Sequence, residues 1–162
     1  MKFSRLLVMF TLASAASYPT YGNSEGTWDD ISNAGVYSLM GTALLLPTVR
    51  DDWEGLRQAV YSVAAGAAIT LTGKTLIDSE RPDESDDDSF PSGHATNAFS
   101  SATTLHRRYG WQIGVPAYAV ATLTGVARER AREHHWYDVV AGAVIGTATG
   151  WFSPTRLMTR YS

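Results

Sequence analysis

Long uncharged runs alternate with short charged segments along this chain. The runs cover 6–24, 31–49, 58–73, 89–106, 109–127 and 139–155, each 16 to 19 residues long. Within them Ala, Gly, Leu and Val recur without the strict alternation of a half-buried strand, and β-branched stretches stay as short as Val139-Val140. The pattern predicts six candidate helices and an all-α fold, a compact bundle of about five to six helices. Pro47, Pro82, Pro91 and Pro154 sit at run edges, where a missing N–H and a fixed φ start or stop helices; Pro116 is placed in the first turn of its run. No internal repeat divides the chain.

The segment from Asp78 to Asp88 breaks the pattern. It holds seven of the sixteen acids together with Arg81-Pro82, so it reads as a solvated loop rather than a packed helix. Asp86-Asp87-Asp88 reads as a solubilising charge run, because the glycine-punctuated spacing of a divalent-cation loop is missing. No metal is placed there.

The N-terminus reads as a secretory signal over residues 1–16: Lys2 and Arg5 start it, Leu6 to Leu12 form the apolar centre, and Ala13-Ser14-Ala15 offers a cleavage site. An uncleaved first helix is the alternative. Residues 17–162 then form a single catalytic domain. Removing the signal takes away two cations and moves the formal charge from −3 to −5. The working part would face the outside of the cytoplasmic membrane, in the bacterial envelope.

Composition narrows the options further. A length of 162 residues suits one domain with its own core. With no cysteine there is no disulfide, thiolate metal site or thiol nucleophile. A pI near 5.7 argues against a basic nucleic-acid-binding surface, while leaving room for a local cationic pocket. The runs fall slightly short of the roughly 20 apolar residues of a spanning helix. Thr, Ser, Tyr, Gln58 and Gln112 dilute them, and the mean hydropathy is −0.12. If all six crossed a bilayer, eight cations would lie inside and five outside, a weak positive-inside bias. The polar dilution favours a soluble or peripheral bundle over an integral one.

Three short stretches concentrate the chemistry. They are Lys74 to Pro82 (KTLIDSERP), Pro91 to His94 (PSGH) and Arg128 to Asp138 (RERAREHHWYD). Each lies at the end of an uncharged run, and in an up-and-down bundle parity brings all three to the same end. Lys74, Arg81 and Arg128 would surround one point with positive charge, and Ser92-Gly93 at a helix start would aim N–H groups and the positive end of the helix dipole at it. Such a site suits a small, highly charged oxyanion such as phosphate. His134 and Asp138, at i and i+4, stand one turn apart if that stretch is already helical. The carboxylate could then hold one ring nitrogen and leave the other free to attack. His94 is free to act as general acid. Singly, each stretch has a plainer reading: PSGH as a capped helix start, Lys74 as a C-terminal helix charge, Arg128, Arg130 and Arg132 with Glu129 and Glu133 as an ion-paired surface. Their joint occurrence favours a site.

Lys74 with six residues before Arg81-Pro82, then PSGH at 91–94, then Arg128 with five residues before His134 and three more before Asp138, resembles the three-part signature of the type 2 phosphatidic acid phosphatase superfamily. The match covers 74–138, with one departure: Ala127 stands where the motif usually has serine. The resemblance implies a metal- and cofactor-independent phosphatase with its active site at one end of the bundle. His134 would form a phosphohistidine, Asp138 would orient it, and His94 would protonate the leaving group and later activate water. Lys74, Arg81, Ser92, Gly93 and Arg128 would hold the phosphate oxygens. His135 is expected to support the site or face the substrate. Substrates implied are envelope lipid phosphates or pyrophosphates, among them undecaprenyl pyrophosphate, phosphatidic acid, phosphatidylglycerol phosphate and lipid A. The alternatives are a soluble nonspecific acid phosphatase acting on small phosphate esters, a vanadate-dependent haloperoxidase, and a non-enzymatic phosphate-binding bundle.

Overall fold

The structure is a computed structural model that describes residues 24–153. Five helices follow one another: α1 Ser24–Val49, α2 Trp53–Leu76, α3 Gly93–Tyr109, α4 Trp111–Arg130 and α5 Trp136–Phe152. Extended pairing among the described residues is limited to an isolated bridge between Ser79 and Asp88, so the fold is all-α as expected. The signal-peptide reading and nearly all of the run 6–24 lie outside the described residues.

The helix boundaries depart from the uncharged runs where local chemistry overrides hydrophobicity. α1 begins before its run and takes in Glu25, which lies in the first turn and suits the positive end of the helix dipole, together with Asp29 and Asp30. α3 begins at Gly93 rather than Ser89, because Pro91 disfavours helix before it and Ser92 supplies the cap, its Oγ accepting from the Ala95 N–H at 3.4 Å. α4 runs through Arg128 to Arg130. Pro116 sits at the sixth position of α4, past the first turn where it was expected.

α3 is the central helix and packs against each of the other four. Its closest neighbour is α5, whose Gly142, Gly146 and Gly150 lie four apart and therefore share one face. A Cβ at these positions would fall 2.5 Å from the Ser92 carbonyl oxygen, 2.2 Å from the Thr96 carbonyl oxygen and 2.6 Å from Thr103 Cβ. Helix backbones thus meet directly along the seam. Pro91 similarly presses on Gly73 of α2, where a Cβ would come within 2.6 Å of its ring, and this seats the PSGH stretch beside Lys74. The apolar core is built chiefly of alanines, among them Ala43, Ala59, Ala98, Ala102, Ala117 and Ala121, with Leu39 and Leu105 as its bulkiest fully buried members.

The seam can be tested by its stability cost. Gly146→Ala should destabilise the fold by about 1–3 kcal/mol, the usual cost of overpacking. Gly41→Ala, whose new methyl meets nothing within 4 Å, should stabilise by about 0.5–1 kcal/mol through helix propensity. Chemical denaturation of the two variants measures both; equal effects would remove the seam's special status.

Candidate active site

The expected convergence is present. Lys74 comes from the end of α2, Arg81 from the α2–α3 loop, Ser92, Gly93 and His94 from the start of α3, Arg128 from the end of α4, His134 from the α4–α5 turn and Asp138 from the start of α5. These segments are stitched together across the end of the bundle. The Ser92 N–H donates to the Asp138 carbonyl at 3.1 Å, and Arg132 Nη2 donates to the Pro82 carbonyl at 2.9 Å.

Three carboxylates hold the three cations. Lys74 Nζ donates to the Asp88 backbone carbonyl and to its Oδ2 at 3.2 Å, while Arg81 Nε and Nη2 reach Asp88 Oδ1 at 3.0 and 2.7 Å. Glu133 Oε2 bridges Arg81 Nη1 and Arg128 Nη2, the latter at 3.1 Å. Arg128 Nη1 pairs with Asp29 Oδ1 from α1 and lies 3.4 Å from Ser32 Oγ. Asp88 is therefore not part of a merely solvated run; Asp86 and Asp87 are exposed, but Asp88 turns inward between two cations. Burial works against its anion, and hydrogen bonds from Arg81 and Lys74 outweigh that, holding its carboxyl below the usual range. Arg128 is 5% exposed, unlike the exposed Arg130 and Arg132, so the plain surface reading fails for Arg128 and for its partner Glu133.

His134 lies in the turn before α5, so it and Asp138 are not two positions of one helix. His134 Nδ1 is 3.9 Å from Asp138 Oδ2, beyond hydrogen-bond reach. Ser89 stands between them: its hydroxyl donates to Asp138 Oδ2 at 2.6 Å and its oxygen lies 3.4 Å from His134 Nδ1. Asp138 also accepts the His135 N–H at 2.8 Å, closing a capping box in which His135 starts α5. The His135 ring stacks on Tyr137 with centroids 4.8 Å apart. With Nδ1 turned toward Ser89 and Asp138, Nε2 is the nitrogen His134 has for attack.

His94 Nε2 meets Asn33 Oδ1 of α1 at 2.8 Å, and Asn33 Nδ2 donates to Asp29 Oδ2 at 2.9 Å. Burial, reinforced by the positive charge of Arg128, lowers His94 to about 4 and His134 to about 3. Both rings are neutral at neutral pH, which leaves His134 with a lone pair.

Five site residues escaped the sequence reading: Asp29, Asn33, Asp88, Ser89 and Glu133. Ser89 had a signal, its place directly before Phe90-Pro91-Ser92-Gly93-His94. Asp29 and Asn33 had only their i, i+4 spacing, since the charges before the run at 31–49 were read as its boundary. Ala127 is fully buried in α4 one position before Arg128, so the methyl that replaces a serine hydroxyl has no access to water.

Residues 55–161 match the family model of the PAP2 superfamily. The chain belongs to the PAP2 superfamily. It is 39% identical over 92 residues to lipid A 1-phosphatase of Porphyromonas gingivalis, covering 54% of this chain and 20% of that one. It is 37% identical over 67 residues to lipid A 4'-phosphatase of Helicobacter pylori, covering 41% of this chain and 34% of the relative. The PAP2 chain thus spans about a fifth to a third of the length of these curated relatives. Among solved structures, LpxE of Aquifex aeolicus superimposes with a TM-score of 0.69 at 23% identity, covering 85% of this chain and 87% of that one. The PAP2-type phosphatidylglycerolphosphate phosphatase of Bacillus subtilis gives 0.62 at 21% identity, covering 78% and 73%. At these identities the likeness establishes the fold.

The neutral histidines of this PAP2 site leave a trace in stability. Unfolded, both titrate near 6.5; folded, they refuse a proton until about 4 and 3. Below pH 6.5 the unfolded chain therefore binds more protons, and stability should fall as pH drops from 7 to 4. Tm measured across that range should decline more steeply in the wild type than in the His94→Gln/His134→Gln variant. Parallel curves would show that the two rings are not buried neutral.

Proposed function

We propose that this PAP2 chain is a phosphatase that releases phosphate from lipid phosphate monoesters or pyrophosphates, with His134 as nucleophile. The carrying observation is the joining of Lys74, Arg81 and Arg128 at one end of the bundle with a buried, neutral His134 whose Nδ1 is turned toward Ser89 and Asp138. His134 Nε2 attacks phosphorus as the P–O bond breaks, and protonated His94 gives its proton to the departing oxygen. Water then attacks the phosphohistidine, passes a proton to His94, and the P–N bond breaks. Phosphate oxygens take the places of Asp88, Glu133 and Asp29 on the cations, which stabilise charge growing in the transition state together with Ser92 and Gly93 at the start of α3. Asp138 orients His134 through the Ser89 hydroxyl. The reading calls on no metal or cofactor.

A lipid substrate is supported by the outer surface. Trp53, Trp111, Trp151 and Phe152 are exposed at the end away from the site, and Trp136, Tyr137 and Leu76 at the site end. Between them Leu45, Leu71, Val115 and Val144 are exposed as well. Aromatics at two levels with aliphatics between them suit contact with lipid. The relatives named as lipid A phosphatases favour lipid A or a similar envelope lipid, with undecaprenyl pyrophosphate, phosphatidic acid and phosphatidylglycerol phosphate as further members of the class. We place the enzyme at the bacterial envelope with its site facing the periplasm. A second reading, a soluble periplasmic acid phosphatase, is favoured by one fact: no described helix is long and apolar enough to cross a membrane.

Phosphate release from a panel of lipid and water-soluble phosphates tests the proposal. Lipid phosphates should be turned over preferentially by protein recovered with membranes; preference for soluble esters and recovery in the osmotic-shock fraction would favour the second reading. His134→Ala should abolish turnover and His94→Ala reduce it by about 10²–10⁴-fold. Because His94 must carry a proton and titrates near 4 while His134 stays neutral down to about 3, kcat/KM should rise as pH falls from 8 to 5. A rise in the opposite direction would exclude His94 as the acid.

A further inference from the structure

α1 precedes residues 55–161, the part matched by the PAP2 family model, yet it sends two polar side chains into the site. Asp29 and Asn33 stand one turn apart on its inner side. Asp29 divides its oxygens: Oδ1 takes Arg128 Nη1, and Oδ2 takes Asn33 Nδ2 at 2.9 Å. A carboxylate that takes a guanidinium N–H on one oxygen and an amide N–H on the other acts only as an acceptor. Asn33 must therefore present its NH2 to Asp29, since the opposite orientation would set two oxygens against each other. Its carbonyl oxygen is thereby committed to His94 Nε2, 2.8 Å away. A carbonyl oxygen also only accepts, so Nε2 must carry a hydrogen.

We propose that Asn33, oriented by Asp29, is a positioning residue that fixes the proton of neutral His94 on Nε2 and so makes Nδ1 the nitrogen that exchanges protons with leaving group and water. The charges facing His94 are Arg128 on α4, Lys74 on α2, Arg81 in the α2–α3 loop and Asp29 on α1. They set how readily the ring becomes cationic, whereas the two neutral tautomers carry the same net charge and are separated by the hydrogen bond. The inference rests on the phosphatase reading for its catalytic consequence but not for its structural content. In the first half-reaction the imidazolium gives its Nδ1 proton to the departing oxygen as the P–O bond breaks and the bond to His134 forms. In the second, water gives its proton to Nδ1 as its oxygen bonds to phosphorus and the P–N bond breaks. Throughout, Nε2 keeps its proton and donates it to the Asn33 carbonyl oxygen. Because Asp29 also holds Arg128, an incoming phosphate that draws Arg128 from Oδ1 leaves Oδ2 free to keep its hold on Asn33.

Long-range ¹H–¹⁵N spectra of the ligand-free, ¹⁵N-histidine-labelled full chain at pH 7–8 read the tautomer directly. His94 is assigned by the signals lost in His94→Gln, and half-buried His106 serves as a control for folding. Wild type should show the Nε2–H pattern, Asn33→Leu a mixture or the Nδ1–H pattern, and Asn33→Asp, which gives up the bond to Asp29 but keeps an acceptor for Nε2, the Nε2–H pattern again. On a substrate that is turned over, Asn33→Leu should lower kcat by about 10–100-fold with little change in KM, less than deletion of the acid itself. Asn33→Asp should recover most of that rate and move the acid's pH limb upward. An Nδ1–H pattern in wild type, or a wild-type tautomer and pH profile in Asn33→Leu, would overturn the proposal. Should Asn33→Leu fail to fold, the wild-type and Asn33→Asp spectra still decide it. The expected spectra without turnover of any phosphate would instead sink the phosphatase reading and leave the tautomer assignment standing.

Discussion

The contact on which the site depends is the backbone seam between α3 and α5. Glycine at 142, 146 and 150 removes every side chain from one stripe of α5, so the carbonyls of Ser92, Thr96 and Ser100 on α3 come against it. Such a seam has no slack: sliding one helix along the other by a turn would still meet glycine, but a shift of one or two residues would drive a β-carbon into a carbonyl. Register is thereby quantised, and the start of each helix is carried with it. That is why the Ser92 N–H can meet the Asp138 carbonyl, and why Ser89, three residues before Ser92, reaches the Asp138 side chain. Under the proposed mechanism, the nucleophile's support and the phosphate-binding helix start are thus two ends of one packing decision.

The cation pocket adds an electrostatic constraint of its own. Arg128 is buried, and a buried charge stripped of its partner typically costs about 3–5 kcal/mol. Asp29 and Glu133 meet this need for Arg128 in the ligand-free protein, and Asp88 does the same for Lys74 and Arg81. Under the proposed mechanism phosphate binding is an exchange of one oxyanion for another rather than the filling of a naked pocket. Its affinity is then a difference between two similar sets of charge-assisted hydrogen bonds. Only hydrogen bonds that fit the transition state better than the bound substrate turn that difference into rate.

Much of this was legible in the chain because it depends on covalent order. Uncharged runs mark helices whatever surrounds them, and parity alone brings Lys74, Ser92, Arg128 and His134 to one end. The partners of these residues were illegible for the complementary reason. Asp88 could be told from Asp86 and Asp87 only by the direction the loop takes once its ends are fixed on α2 and α3. Glu133 alternates with Arg132 and Arg130 as any surface helix might, and only the turn after α4 points it inward. Asn33 and Asp29 belong to a different segment of the chain, and nothing in their spacing says which histidine they face. The seam was written in the i, i+4, i+8 glycines of α5, a pattern visible only when composition is read along a helix face rather than summed over a run.

Side-chain size also explains why mean hydropathy was a poor guide to the surroundings of the bundle. The inside is made of alanine, glycine and hydroxyl residues, with Ser62 meeting Ser100 at 2.6 Å, Thr70 meeting Thr96 at 3.2 Å and Thr103 meeting Tyr118 at 2.8 Å. The large apolar side chains point outward, Leu71, Leu76, Val144 and Phe152 among them. A protein folding in water gains by the opposite arrangement, because burial of large apolar side chains is its main driving force. Where the surroundings are themselves apolar, that gain vanishes, and close packing of small residues with hydroxyl pairs between helices becomes the economical solution. Averaging inside and outside cancels the two signals to a hydropathy near zero. Separated by burial, they become the pattern of small residues inside and large apolar residues outside on which the proposed lipid substrate rests.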